Sequence, residues 1–259
     1  MELEKILPNN GPSIDEVKKY TTKYSNDIIV IKCGGSVLLE KNLFNQFIED
    51  ISVINKLGLS VVVVHGGGKN IQKKLDDHNL KSVFIDGLRV TDEKTIKIVE
   101  EALLELNFEI LSEISNHHAN SVSISPKKNN IIRVTPEKKE LGFVGTPTEI
   151  NKDTVLKIIN EKKIPLIVPM GIGEDNDIYN INADVAAGAI AKELKARRLL
   201  LMTDVEGVLD KSKNLISEIN SSMANEMIKN KTIAGGMIPK IKTCLDAVNN
   251  GVTGVVIVD

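Results

Sequence analysis

The sequence predicts an α/β protein, a three-layer αβα sandwich built on a mainly parallel open sheet. Two observations carry this: short β-branched runs recur along the chain, and amphipathic helical periods separate them. Ile28-Ile29-Val30-Ile31 and Val61-Val62-Val63-Val64 are apolar at every residue, the pattern of strands covered on both faces. Between them Phe44, Phe47, Ile48, Ile51 and Ile54 fall on one helical stripe. With 259 residues, 42% of them hydrophobic, the chain can bury one large core or two lobes.

Taken in order, the first 27 residues stand apart. Leu3, Ile6 and Leu7 precede a Pro-Asn-Asn-Gly-Pro turn at 8–12, and a helix is expected over 13–24, together an N-terminal arm. After the strand, helix and strand already named, a long helix is expected over 92–115, with Ile96, Val99, Leu103, Leu106 and Ile110 on its buried stripe. Residues 121–150 are less regular, with a strand at 131–134 and a turn-rich hairpin at 142–145 that is either a covering flap or a plain connection. The alternation resumes with a helix at 152–160, a strand at 165–168, a helix at 182–194, a strand at 199–202, a helix at 236–249 and a strand at 252–258.

Charge and cysteine usage exclude several classes of function. Lysine plus arginine (33) nearly balances aspartate plus glutamate (35), so the chain lacks the basic footprint of a nucleic-acid or anionic-membrane binder. Any anion site is therefore local. Cys33 and Cys244 match no zinc or redox spacing, which predicts free thiols in a reducing cytoplasm. His65, His78, His117 and His118 show no metal-ligand spacing, and the adjacent pair reads as a solvated helix end. No basic stretch followed by an apolar segment opens the chain, and no apolar run could span a bilayer, so neither export nor membrane insertion is expected.

Three glycine-bearing segments follow predicted strands: Lys32-Cys33-Gly34-Gly35-Ser36, His65-Gly66-Gly67-Gly68-Lys69 and Gly171-Ile172-Gly173. In a parallel sheet, loops at the carboxyl ends of strands line the ligand crevice, and glycines let backbone N–H groups approach an anion. One such loop alone is as readily a tight turn; three predict a phosphate or carboxylate site. None has the Walker spacing or its Ser/Thr, and none is a dinucleotide fingerprint.

Lys32-Cys33-Gly34-Gly35-Ser36 and Val64-His65-Gly66-Gly67-Gly68, together with Gly87-Leu88-Arg89-Val90-Thr91, Tyr179-Asn180-Ile181-Asn182-Ala183-Asp184 and Gly236-Met237-Ile238-Pro239-Lys240, resemble the amino acid kinase family, and within it the acetylglutamate kinases. The motifs stand in family order from about residue 28 to 258. The resemblance implies the amino acid kinase or carbamate kinase-like fold, with an N-acetylglutamate lobe at about 28–178 and an ATP lobe at about 179–259. It implies that Lys32 and Lys240 stabilise the transition state while Asp184 orients both. It implies that Gly66, Gly67, Arg89, Asn180 and Asn182 hold N-acetyl-L-glutamate. The nucleotide would be held by Gly34, Gly35, Thr203, Asp204, Val205, Glu206, Gly207, Val208 and Leu209, with Thr232, Ile233 and Ala234. No protein metal site is expected; Mg2+ would arrive with ATP and be held mainly by its phosphates.

The chemistry makes separate sense of these residue types. A glutamate side chain is already ionised at neutral pH, so its attack on phosphorus needs charge neutralisation rather than a general base. Arg89 suits an α-carboxylate because a guanidinium can pair with it in a bidentate way. Singly, each residue has a plainer reading: Lys32 and Lys240 as solvated lysines, Arg89 as a surface ion pair, Asn182 as a helix cap, Asp204 as a turn cap. The joint pattern favours the site.

Some features depart from the family. Cys33 stands where a larger apolar or aromatic residue is usual, which predicts altered packing and a reactive thiol. Residues 121–128 replace a Gly-Leu-Ser-Gly-Lys-Asp type of segment, and the chain ends at Asp259 where relatives continue, which points to a truncated sequence. The arm resembles the extra helix of arginine-inhibited members, implying a homodimer that residues 1–27 could join into a hexamer, with arginine as feedback inhibitor. Two other readings stay open: a sibling kinase acting on glutamate, aspartate or an aminoadipate derivative, and a non-catalytic arginine-sensing domain.

Overall fold

In the computed structural model the described residues are 7, 11–235 and 237–259. Leu3, Ile6, the start of the turn at 8–12 and Gly236 lie outside the described residues. The chain begins its regular structure with α1 (Ile14–Lys23), opened by a capping box in which Ser13 and Glu16 exchange hydrogen bonds. Then follow β1 (Ile28–Cys33), α2 (Lys41–Lys56), β2 (Ser60–His65) and α3 (Gly68–Asp77). A short pair, β3 (Phe84–Ile85) and β4 (Leu88–Arg89), leads to α4 (Glu93–Asn116) and β5 (Ser121–Ile124). Next come β6 (Ile132–Pro136), β7 (Gly145–Ile150), α5 (Lys152–Asn160), β8 (Ile164–Ile167), β9 (Met170–Ile172) and β10 (Ile178–Asn180). The chain closes with α6 (Ala183–Glu193), β11 (Arg198–Met202), α7 (Ser221–Lys229), α8 (Met237–Asn249) and β12 (Val255–Val258).

The main sheet runs β12-β11-β1-β2-β8-β5, and every neighbouring pair in it is parallel. Strand β1 lies inside the sheet, with Lys32 opposite Val64 on one side and Leu201 on the other. Alternate residues divide between two cores, as the pleat requires. Val30, Val62, Val64 and Leu201 pack on Ala186, Ala187, Ile190 and Ala191 of α6, Val155 of α5 and Ala247 of α8. Ile31, Cys33, Val61 and Val63 pack on Phe47, Ile48 and Ile51 of α2 and on Leu106, Ile110 and Ile114 of α4. The expected three layers are present. The helices expected at 44–54 and 92–115 are α2 and α4, the latter capped by Asp92, whose carboxylate accepts from the N–H groups of Lys94 and Thr95.

A second sheet, ordered β10-β9-β6-β7, corrects one expectation. Gly171 belongs to β9 in this sheet rather than to an anion-binding loop: a Cβ there would lie 2.6 Å from Val134 Cγ1 and 2.9 Å from the Ile132 carbonyl. Gly173 likewise clears room for Asp175 and the ring of Tyr179. Both are packing glycines. The hairpin near 142–145 is a connection: β6 and β7 pair antiparallel, and Phe143 between them donates to the Thr91 carbonyl and accepts from the Asn180 N–H. It ties β10 to the segment that follows Arg89. The final strand is also shorter than expected, beginning at Val255 after a turn at 251–254.

Candidate active site

Parallel β-strands joined through helices bring their carboxyl-end loops to one edge of the sheet. There a cleft of about 220 Å³ is lined by Lys32, Gly34, Gly35, Gly66, Gly67, Arg89, Asn180, Asn182 and Asp184, among others. Lys32 reaches it from the end of β1. Gly34 leaves space for that side chain, since a Cβ would sit 3.1 Å from Lys32 Nζ. Gly35, at φ +61°, lies so close to Asp204 that a Cβ would collide with its carboxylate. The Asp204 carboxylate accepts from the Ser36 N–H at 2.7 Å and the Ser36 hydroxyl at 2.9 Å, which fixes the loop after β1.

The loop after β2 is drawn against the first one: the Gly66 N–H donates to the Cys33 carbonyl at 2.6 Å. A two-residue turn between β3 and β4, Asp86-Gly87, has positive φ at both positions (52° and 82°), the type I′ geometry that such hairpins use. It presents Arg89. That guanidinium is mostly buried, donates to Gln72 at 3.2 Å, to Ser82 and to the Gly68 carbonyl at 3.1 Å, and stacks on the Phe84 ring.

Asp184 occupies the first turn of α6 because Asn182 caps that helix, its side-chain oxygen accepting from the N–H groups of Asp184 and Val185. Lys240 comes from α8, which packs against α6 where Gly188 admits Thr243. Lys240 Nζ donates to Asp184 Oδ2 at 2.7 Å, and Lys32 Nζ lies 3.0 Å from Asp184 Oδ1. One carboxylate thus separates two ammonium groups, each on its own oxygen. Burial pushes the Asp184 carboxyl up, but the charges of Lys32 and Lys240 and their hydrogen bonds outweigh it, so it lies below the ordinary carboxylate value. Lys32 and Arg89 line the cleft against the single carboxylate of Asp184, and Lys240 stands behind that carboxylate, so the charge at the cleft is net positive and suits a polyanion.

The residues named from the sequence for catalysis and acceptor binding come together here, while the residues named for the nucleotide are divided between two places. Gly34, Gly35 and Asp204 gather around Lys32. Glu206, Gly207 and Val208 instead line a second cavity of about 440 Å³ between β12 and α8, also bounded by Cys244 and Leu245. Thr203 donates its N–H to the Val258 carbonyl, Val205 is exposed and Leu209 pairs with Leu215. Ile233 is buried beside Val208, Ala224 and Ile241, whereas Thr232 donates its N–H and hydroxyl to Asn230 Oδ1 and is partly exposed, and Ala234 is exposed. The expectation of a reactive Cys33 fails: the thiol is fully buried, and burial pushes it up to about 12, so it stays protonated. Ser36 and Leu88 lie within the sequence motifs without a role assigned to them, whereas Phe84, which lines the cleft beneath Arg89, belongs to no motif; the Asp86-Gly87 pair is the local signal of the hairpin that carries it.

Among the described residues no group of three His, Cys, Asp or Glu side chains converges as a metal site. No helix among them is long and apolar enough to cross a membrane.

A model of the amino acid kinase family matches residues 27–259. An acetylglutamate kinase of Pelagibacter ubique (strain HTCC1062) is 56% identical over 258 residues, covering 100% of this chain and 90% of that protein. An acetylglutamate kinase of Campylobacter fetus subsp. fetus (strain 82-40) is 44% identical over 242 residues, covering 93% and 86%. A solved protein of Streptococcus mutans UA159 superposes with a TM-score of 0.83 at 33% identity, covering 90% of this chain and 95% of that one.

Proposed function

The chain belongs to the amino acid kinase family, and from that premise we infer that it transfers the γ-phosphoryl group of ATP to the side-chain carboxylate of N-acetyl-L-glutamate. The products are N-acetyl-L-glutamyl 5-phosphate and ADP, a step of arginine biosynthesis. The observation that carries this reading is the Lys32–Asp184–Lys240 constellation at one end of a cleft that also holds Arg89 and Asn180.

A carboxylate oxygen of the acceptor forms the new bond to phosphorus while the bond from phosphorus to the β-phosphate oxygen breaks. No proton is removed from the nucleophile, so Asp184 acts as an orienter. Lys32 and Lys240, spaced by that carboxylate, neutralise the charge spread over the equatorial oxygens in transit. Backbone N–H groups of the loops after β1 and β2, that of Gly67 among them, add donors, while the Gly66 N–H is held by the Cys33 carbonyl. Arg89 is the partner for the acceptor's α-carboxylate. Mg2+ would arrive with ATP, held mainly by its phosphates rather than by protein side chains, and would offset part of their negative charge. The retention of both lysines with Asp184 supports catalysis over a sensing role alone.

The protein is read as a cytoplasmic homodimer; joining dimers through residues 1–27 and inhibition by arginine are tested together by solution mass and activity across an arginine titration. The activity itself is tested by trapping acyl phosphate with hydroxylamine in the presence of ATP and Mg2+, across N-acetylglutamate, glutamate, aspartate and aminoadipate. Turnover with N-acetylglutamate well above the others is expected. No turnover on any acceptor refutes the enzyme reading, and preference for another acceptor transfers it to a sibling activity.

A further inference from the structure

We propose that His65, Asn107 and Ser123 form a buried chain of hydrogen bonds that fixes the Gly66–Gly67 peptide and aims the Gly67 N–H into the acceptor cleft, which makes His65 a positioning residue. This rests on the kinase reading above and adds to it residues outside the cleft lining.

His65 ends β2 and is completely buried. Its Nδ1 lies 2.7 Å from the Gly66 carbonyl oxygen, which can only accept, so Nδ1 carries the proton. Nε2 of the neutral ring must then accept, and Asn107 Nδ2 stands 3.1 Å away as the donor. That orientation of the amide turns Asn107 Oδ1 toward Ser123, whose hydroxyl donates to it at 2.6 Å. One tautomer and one amide orientation satisfy all three bonds, and they link β2, α4 and β5. Burial pulls His65 down to about 4, against the weaker opposing effect of the Gly66 bond, so the ring is neutral across the physiological range.

These groups sit in apolar surroundings, beside Leu106 and Ile110 of α4, where hydrocarbon side chains of similar volume would avoid the desolvation cost. What the polar chain adds is control of a flexible peptide. Two successive glycines leave their shared peptide free to rotate. In a trans peptide the C=O and N–H point in opposite directions. Holding the Gly66 carbonyl against the buried ring therefore turns the Gly67 N–H away from the core, toward the cleft that Gly66, Gly67 and Gly68 line. The Gly66 N–H is already bound to the Cys33 carbonyl, so the loop is held on both sides of Gly66. An anchored donor needs no reorganisation when it meets an anion.

The test uses the full chain, with His65→Leu and His65→Asn variants, steady-state kinetics in both substrates and 15N NMR of the imidazole. Asparagine can place an N–H near the position of Nδ1; leucine cannot. His65→Leu is expected to raise the KM for N-acetylglutamate about tenfold, as loss of an aligned hydrogen bond does, with a much smaller change in the KM for ATP. His65→Asn is expected to recover most of that loss, and the wild-type ring to show a protonated Nδ1 and a bare Nε2. Should His65→Leu fail to fold, Asn107→Leu keeps the ring but removes the donor to Nε2, and is expected to give a mixture of tautomers with a smaller rise in KM. An Nε2-protonated wild-type ring overturns the proposal, as does a folded His65→Leu with unchanged acceptor KM. A wild type that phosphorylates no acceptor refutes the kinase reading alone, and the tautomer then decides the hydrogen-bond chain.

Discussion

Lys240 is only 8% exposed, yet it is bonded to a carboxylate that a second lysine also touches. Burial of three charges in one cluster is costly unless each is paired, and here the two cations share a single counter-charge. The arrangement is therefore incomplete until anionic oxygens enter the cleft. From this we expect Lys240→Ala, and equally Lys32→Ala, to lower kcat by about 10²-fold or more, the usual cost of removing a transition-state donor. Steady-state assay of the purified variants checks it, with circular dichroism to show that they fold; full turnover by Lys240→Ala removes the role assigned to it. The two lysines stand 208 positions apart in the numbering, and no period or charge pattern links them. They were legible only because a family motif surrounds each one. Arg89 was placed in the cleft by the same route, but its neighbours Ser82 and Gln72 carry no motif and were found only once β4 was folded against α3.

At the scale of elements, helices and strands with a regular apolar stripe were readable because periodicity is a local property. α2, α4 and α6 all lie where their stripes fall, while α3, short and rich in charge, buries only Ile71 and Leu75, too few apolar positions to mark a stripe by themselves. The Asp86-Gly87 pair marks the β3–β4 hairpin locally, because both positions take positive φ. Gly171 failed for the opposite reason: glycine after an apolar run is the same signal whether it clears space for an anion or for Val134, and only tertiary packing separates the two. The tie between His65 and Asn107 spans 42 positions, and Asn107 sits on the buried side of α4, where the apolar stripe hides it. Element ends also carry function. Asn182 caps α6 and thereby orients the turn that holds Asp184. Asn182→Ala is expected to cost about 1 kcal/mol of stability and to lower kcat as well, because Asp184 loses its fixed place. Paired measurements of Tm and kcat test this; a lower Tm with an unchanged kcat would show that the cap serves the helix alone.

For the whole molecule, the acceptor lobe and the nucleotide lobe divided near residue 178 would be parts of one domain, and the main sheet argues that they fold together. Strand β1 pairs with β2 on one side and β11 on the other, so a single sheet runs through both halves and Lys32 stands at their junction. The α6 helix, beyond residue 178, packs in the same core as Val62 and Val64 of β2. Neither half can unfold without exposing the apolar face of the other, which predicts one cooperative transition in urea. Its midpoint also depends on pH in a direction set by buried groups. His65 is held at about 4 by burial, against an ordinary value of 6.5, so between those values the unfolded chain binds a proton that the folded chain does not. Stability therefore falls as pH drops through that window. Asp184 adds to the same trend at more acidic pH: burial pushes it up, its two lysines bring it net below the ordinary value, and its contribution is lost as pH falls through that lowered value. Urea titrations between about pH 7 and about pH 4.5, followed by far-UV circular dichroism and tyrosine fluorescence, should give coincident curves whose midpoint declines toward acid. His65→Asn should flatten the decline, since it removes the group that titrates. Two separated transitions would establish that the halves fold independently, and a midpoint indifferent to pH over that range would mean that His65 does not stay neutral in the folded chain.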